Sequence, residues 1–145
     1  MRRDKMDKVA AVAKLAENET ARELGASQQS HQAKVAQLEQ LLQFRADYES
    51  SLQEKGRQGI TANQLQDHRV FLARLNQAVE QQTREVAQAE QEMVRVRGEW
   101  LAKSRRTSAL DQLVDERARA RARASDKAEQ RRADERAMLG GELSD

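Results

Sequence analysis

The chain has 145 residues, 34% of them charged and 3% aromatic, with no proline, no cysteine and a formal net charge of +2. The absence of cysteine excludes a disulfide framework and a thiolate metal site, and so small a net charge names no partner. With few aromatics, and with alanine supplying much of the 38% apolar share, a thick globular core is excluded. Where such a composition is periodic, it marks a long helix or coiled coil.

The opening stretch "MRRDKMDKVAAVAKLAENE" is basic but leads into no continuous apolar segment, so it does not read as a signal peptide. No run is long enough to cross a bilayer, and a cytoplasmic protein is expected. A first helix is predicted over about residues 3–54. Val35, Leu38, Leu42 and Leu52 share one heptad register, and Leu41, Phe44 and Tyr48 widen that stripe. Upstream, Met6, Val9, Ala13 and Ala16 fit another register. The two imply a slip near Thr20 to Leu24 and a broad or stuttered stripe.

The stretch "EKGRQGITANQL", Glu54 to Leu65, holds two of the six glycines. Gly56 is expected to end the first helix, because glycine takes the left-handed conformation cheaply. Thr61 and Gln64 have the spacing of a capping box, and Ile60 and Leu65 that of a hydrophobic staple. A stop and a start this close predict a turn over about residues 55–61 and antiparallel neighbouring helices. One continuous helix with two tolerated glycines would leave the cap and the staple unexplained.

The second helix is predicted over about residues 62–138. Stepping by three and four from Leu65 gives His68, Leu72, Leu75, Val79, Gln82, Val86, Ala89, Met93, Val96, Trp100, Lys103, Thr107, Leu110 and Val114. Eleven of these fifteen positions are apolar, a sustained coiled-coil seam. If Leu52 faces Leu65, residue 2 faces about residue 115, and at ~1.5 Å per residue each paired arm is roughly 80 Å long. The expected fold is therefore all-α: one long antiparallel two-helix coiled-coil hairpin over residues 1–145, with a C-terminal helical overhang.

Such a hairpin offers no interior pocket for catalysis. The sequence has no phosphate-binding glycine loop, no paired-histidine metal motif and no nucleophile with a base, so no enzyme activity, cofactor or small-molecule ligand is expected. His31 and His68 read as seam residues far apart, and Trp100 as core. Phe71 falls beside the seam, with Val70 further out and Leu75, Ala78 and Gln82 continuing along that flank. These residues read either as a partner patch or as a wide seam in which Phe71 folds over the first helix. Beyond Val114 the apolar heptads stop, and eight basic and four acidic residues lie between Arg117 and Arg136. Arg117, Arg119, Arg121 and Arg123 alternate with alanine and surround the helix. The segment reads either as a solvated helix or as a basic segment docking on an acidic protein surface. No aromatic interleaving supports single-strand nucleic-acid binding, and a basic zipper would place its basic region before the heptads.

The stretch "FRADYESSLQEKGRQGITANQLQDHRVFLARLNQAVEQQ" resembles the middle of the flagellar export protein FliJ family. The likeness rests on Phe44 and Tyr48 before the turn, the G-I-T-A-N start of the second helix and Phe71 after it. It extends through "EWLAKSRRTSALDQL" to the basic tail. The resemblance implies a non-enzymatic stalk of the flagellar type III export apparatus, similar to the central stalk of rotary ATPases. The implied partners are the export ATPase hexamer, entered by the paired helix termini, the membrane export-gate protein FlhA, and export chaperones. The implied location is cytoplasmic, peripheral to the inner-membrane export apparatus. The gate-binding surface would fall on Phe71, Leu75, Ala78 and Gln82, where Gln82 departs from the histidine of the family pattern. An ATPase-binding role for the tail would use Arg117, Arg119, Arg121, Arg123, Arg131 and Arg132. The equivalent stalk of a virulence secretion system and a nucleic-acid-binding coiled coil are the alternatives.

Overall fold

The computed structural model describes the backbone of residues 2–143 and the side chains of residues 5–141. It contains two helices packed as a hairpin, α1 from Arg2 to Gln58 and α2 from Ala62 to Leu143, and no strand among the described residues. The chain divides into two compact units. One joins residues 1–18 to 102–145, here the terminal unit; the other is residues 19–101, the turn unit.

The turn is built as a stop followed by a start, but with a different glycine. α1 continues through Gly56 and ends at Gln58, and Gly59 alone takes a positive φ, +97°. Gly56 therefore does not terminate the helix as expected. Glycine is permitted in the left-handed region but does not require it, and the requirement falls on the residue just after the last helical one. Lys55 and Arg57 occupy the last turn of α1, where cations complement the helix dipole. The capping box forms as the spacing predicts: the Gln64 N–H donates to Thr61 Oγ1 and the Thr61 N–H donates to Gln64 Oε1, both at 3.1 Å. The Leu65 N–H bonds to the Thr61 carbonyl at 3.0 Å, opening α2. Ile60 and Leu65 are both half-buried, as the staple spacing implies.

In the turn unit the antiparallel pairing is marked by side-chain contacts of widening separation. Tyr48 and His68 share a hydrogen bond. Arg45 Nη1 donates to Asn76 Oδ1 at 3.2 Å. Gln82 Nε2 donates to the Lys34 carbonyl at 2.9 Å and to Gln37 Oε1 at 3.1 Å. Leu75, Val79, Ala89 and Val96 are the buried apolar residues, and Thr20, only 1% exposed, is buried with them. In the terminal unit Thr107 is buried, and its hydroxyl donates to the Lys103 carbonyl at 3.0 Å and reaches the Ala13 carbonyl at 3.3 Å. No buried side-chain nitrogen or oxygen among the described residues lacks a partner.

Fourteen of the fifteen predicted seam positions of α2 are at least half-buried. Lys103 is the exception: it is exposed, and Ser104 takes the inward position. A lysine keeps its ammonium in water whenever a small neighbour can turn inward instead.

The reading of α1 needs more correction, because there is no slip near Thr20 to Leu24. Met6, Ala10, Ala13, Glu17, Thr20, Leu24, Ser27, His31, Lys34, Leu38, Leu41, Arg45, Tyr48 and Leu52 step by four and three without a break, and each is at least partly buried. Val9 and Leu42, assigned to the seam, are exposed. The physical reason is composition. Several inward positions of α1 are polar, and the nearest apolar residues lie one step to the side.

Candidate partner surfaces

Three aromatic rings gather on one flank of the turn unit. The Phe71 ring lies 4.7 Å from that of Tyr48, tilted at 42°, and 6.3 Å from that of Phe44, edge-on at 65°. Tyr48 also packs against the His68 ring at 5.7 Å. Phe71 thus folds over the first helix, as the wide-seam reading has it. It nonetheless remains 40% exposed, and Phe44 is 52% exposed. The two ideas about Phe71 are compatible: one face of the ring is packed and the other meets solvent.

The remaining residues of that flank have different surroundings. Leu75 is buried in the seam. Ala78 is exposed. Gln82 is half-buried, its amide engaged by the Lys34 carbonyl and by Gln37. The surface that a partner can touch therefore comprises Phe71 and Ala78, with Leu75 beneath them and Gln82 turned across to α1. Phe44 belongs to the same surface. The sequence placed it only as a widening of the first stripe. The signal that finds it is the pairing register, which brings residue 44 alongside Phe71.

The tail continues α2 as helix. From Asp115 to Gly141 every described side chain is exposed, Arg117, Arg119, Arg121, Arg123, Arg131 and Arg132 included. None of these six arginines forms an ion pair among the described residues. Arg136 Nε donates to the Arg132 carbonyl at 3.3 Å. Elsewhere on α2 the arrangement is the opposite. Arg95 bonds Glu99 at 2.6 Å and Glu92 through two nitrogens, at 2.5 and 3.1 Å. The hydrogen bond from Arg95 holds the Glu92 carboxyl below the usual carboxylate range, and the two carboxylates raise the Arg95 guanidinium further. The described residues hold no group of three or more His, Cys, Asp or Glu placed to bind a metal. Among the described residues no helix is long and apolar enough to cross a membrane.

The sequence pattern of one family, described as flagellar FliJ protein, matches residues 1–141. The chain belongs to the FliJ family. FliJ proteins are non-catalytic components of the flagellar type III protein export apparatus, and the coiled-coil hairpin seen here fits that assignment. No curated protein and no solved structure matches the chain. Within this FliJ chain both surfaces singled out in the sequence are helical, and they lie in different units. The aromatic flank belongs to the turn unit and the arginine tail to the terminal unit.

Proposed function

We propose that this FliJ-family chain is a stalk that couples the flagellar export ATPase ring to the membrane export gate and assists export-chaperone handling. It would act at the inner membrane as a peripheral, cytoplasmic component. The observation that supports this reading most is the tail, where six exposed arginines on a helix form no ion pair among the described residues. Such a surface is free to meet acidic groups on a ring of subunits. A stalk that binds the nucleotide states of those subunits unequally biases their cycle. The flank with Phe71 and Ala78 supplies a second, apolar contact, suited to the gate protein.

The test uses two binding partners. Replacing Arg117, Arg119, Arg121 and Arg123 by glutamate is expected to abolish stimulation of the cognate ATPase and to spare binding to the cytoplasmic part of the gate protein. Ala78→Asp is expected to do the reverse. If both variants keep both activities while remaining folded, the coupling role is refuted. Salt-dependent binding of the tail to DNA or RNA, with no effect on the ATPase, would favour the nucleic-acid alternative.

A further inference from the structure

The terminal unit carries a groove that neither surface above includes. It encloses about 430 Å³, its apolar wall is formed by Val9, Val12 and Ala16 of α1, and Lys8, Lys103 and Arg106 stand along it. Val9, Val12 and Ala16 each lie one residue before an inward position of α1, namely Ala10, Ala13 and Glu17. Lys103 and Arg106 lie one residue before Ser104 and Thr107, the inward positions of α2. Both helices therefore turn the same flank to this trough. Ala13, a seam position with a small side chain, also lines it.

Two properties set it apart from ordinary surface. Val12 is 64% exposed, and Leu15 beside it 68%. Single exposed hydrophobes are common, but a cluster of them beside a concavity marks an interaction site. The second property is charge: Lys8, Lys103 and Arg106 form no ion pair among the described residues. A trough with apolar walls and three unpaired cations is complementary to an apolar ridge flanked by carboxylates.

We infer that this groove docks an acidic amphipathic helix of a partner protein, laid along the hairpin as a third helix. The apolar ridge of such a helix, recurring every third and fourth residue, fits the trough between two helices. Its flanking carboxylates meet Lys8 on one side and Lys103 and Arg106 on the other. A membrane surface is the poorer fit, because a flat lipid surface does not fill a trough between two helices, whereas a helix ridge does. The inference goes beyond the coupling role proposed above, which uses the arginine tail and the flank of Phe71 and Ala78.

The test measures binding to the full chain by fluorescence anisotropy. The probe is a labelled synthetic peptide of about 18 residues, five helical turns, with leucine at the ridge positions and glutamate at the flanks. The wild-type chain is expected to bind it, and a control with lysine in place of glutamate is expected not to bind. Val12→Asp should weaken binding about tenfold or more, through loss of an apolar anchor and like-charge repulsion. Lys103→Glu with Arg106→Glu should weaken it by a similar factor, whereas Arg117→Glu with Arg119→Glu should change it less than about twofold. Circular dichroism of each variant checks that the hairpin is intact. The inference is overturned if Val12→Asp binds as well as wild type, if the tail variant loses as much as the groove variant, or if the lysine peptide binds equally. Failure of the peptide to bind would also overturn it. In that case Val12-dependent binding to anionic vesicles would assign the groove to lipid, and Val12-dependent self-association in ultracentrifugation would assign it to a second copy of the chain.

Discussion

Phe71 makes a prediction on which the packing and the partner readings can be separated. A fully buried phenylalanine side chain is stabilised by up to about 3 kcal/mol relative to an exposed one. At 40% exposed, Phe71 keeps rather more than half of that. Its ring contacts with Tyr48 and Phe44 add about 0.5–1.5 kcal/mol beyond the area buried. Phe71→Ala should therefore destabilise the hairpin by about 2 kcal/mol, which at this chain length lowers the melting temperature by about 4–8 °C. Thermal melts followed by circular dichroism measure this. A cycle with Phe44→Ala isolates the edge-on pair, and the coupling should be at least about 0.5 kcal/mol. An unchanged melting temperature for Phe71→Ala, or full additivity with Phe44→Ala, would refute the packing described. A loss of gate binding in Phe71→Ala is then ambiguous by itself. The exposed Ala78 carries the partner test instead, because Ala78→Asp charges the same flank without opening the seam.

The turn predicts opposite effects for its two glycines. Gly56→Ala, inside α1 with open space around the new methyl group, should stabilise by about 0.5–1 kcal/mol, whereas Gly59→Ala, at φ +97°, should destabilise by about 1–2 kcal/mol; chemical denaturation measures both. Thr61→Ala removes the hydroxyl half of the capping box and should cost about 1 kcal/mol, again read from denaturation midpoints. Ending the chain at Glu116 should leave the melting temperature within about 1 °C of the parent, because it removes only exposed side chains among those described. The lowered pKa of Glu92 means that its ion pair with Arg95 contributes fully above the ordinary carboxylate pKa and is lost as pH falls through the lowered one. An NMR titration of the Glu92 carboxyl should show the depression, and Arg95→Gln should remove it.

The hairpin was legible in the sequence because α2 writes its seam in apolar residues. From Leu65 to Trp100 every predicted inward position is inward, and the cap at Thr61 fixed where that register begins. α1 hides its seam, since Glu17, Thr20, Ser27, Lys34 and Arg45 hold inward positions that apolar periodicity cannot detect. Val9, Val12 and Leu15 meanwhile advertise a stripe that faces outward. Glu17 is held by Lys14 at 3.6 Å, and Arg45 reaches Asn76 across the seam. Such polar groups are admitted because a two-helix interface leaves their ends close to water. The candidate surfaces were legible by position and not by contact. Nothing in the spacing of Phe71 or Gln82 says that one stacks on Tyr48 and the other bonds the Lys34 carbonyl. Those facts depend on the exact alignment of the two arms, which only the closed hairpin defines.

The order of contacts along the arms has a kinetic consequence. Tyr48 and His68 are 20 residues apart in the chain, Arg45 and Asn76 31, Gln82 and Lys34 48, and Thr107 and Ala13 94. Closing the longest of these loops before the others would cost roughly 1.4 kcal/mol more than closing the shortest. The capped turn holds its two helix ends together from the start, so each contact shortens the loop that the next one must close. The hairpin should thus fold like a zipper, nucleating at Gly59 and Thr61 and reaching Thr107 late. Opening runs in the reverse direction, and the low-cost fluctuations gather around the contact of Ala13 with Thr107, the one farthest from the turn.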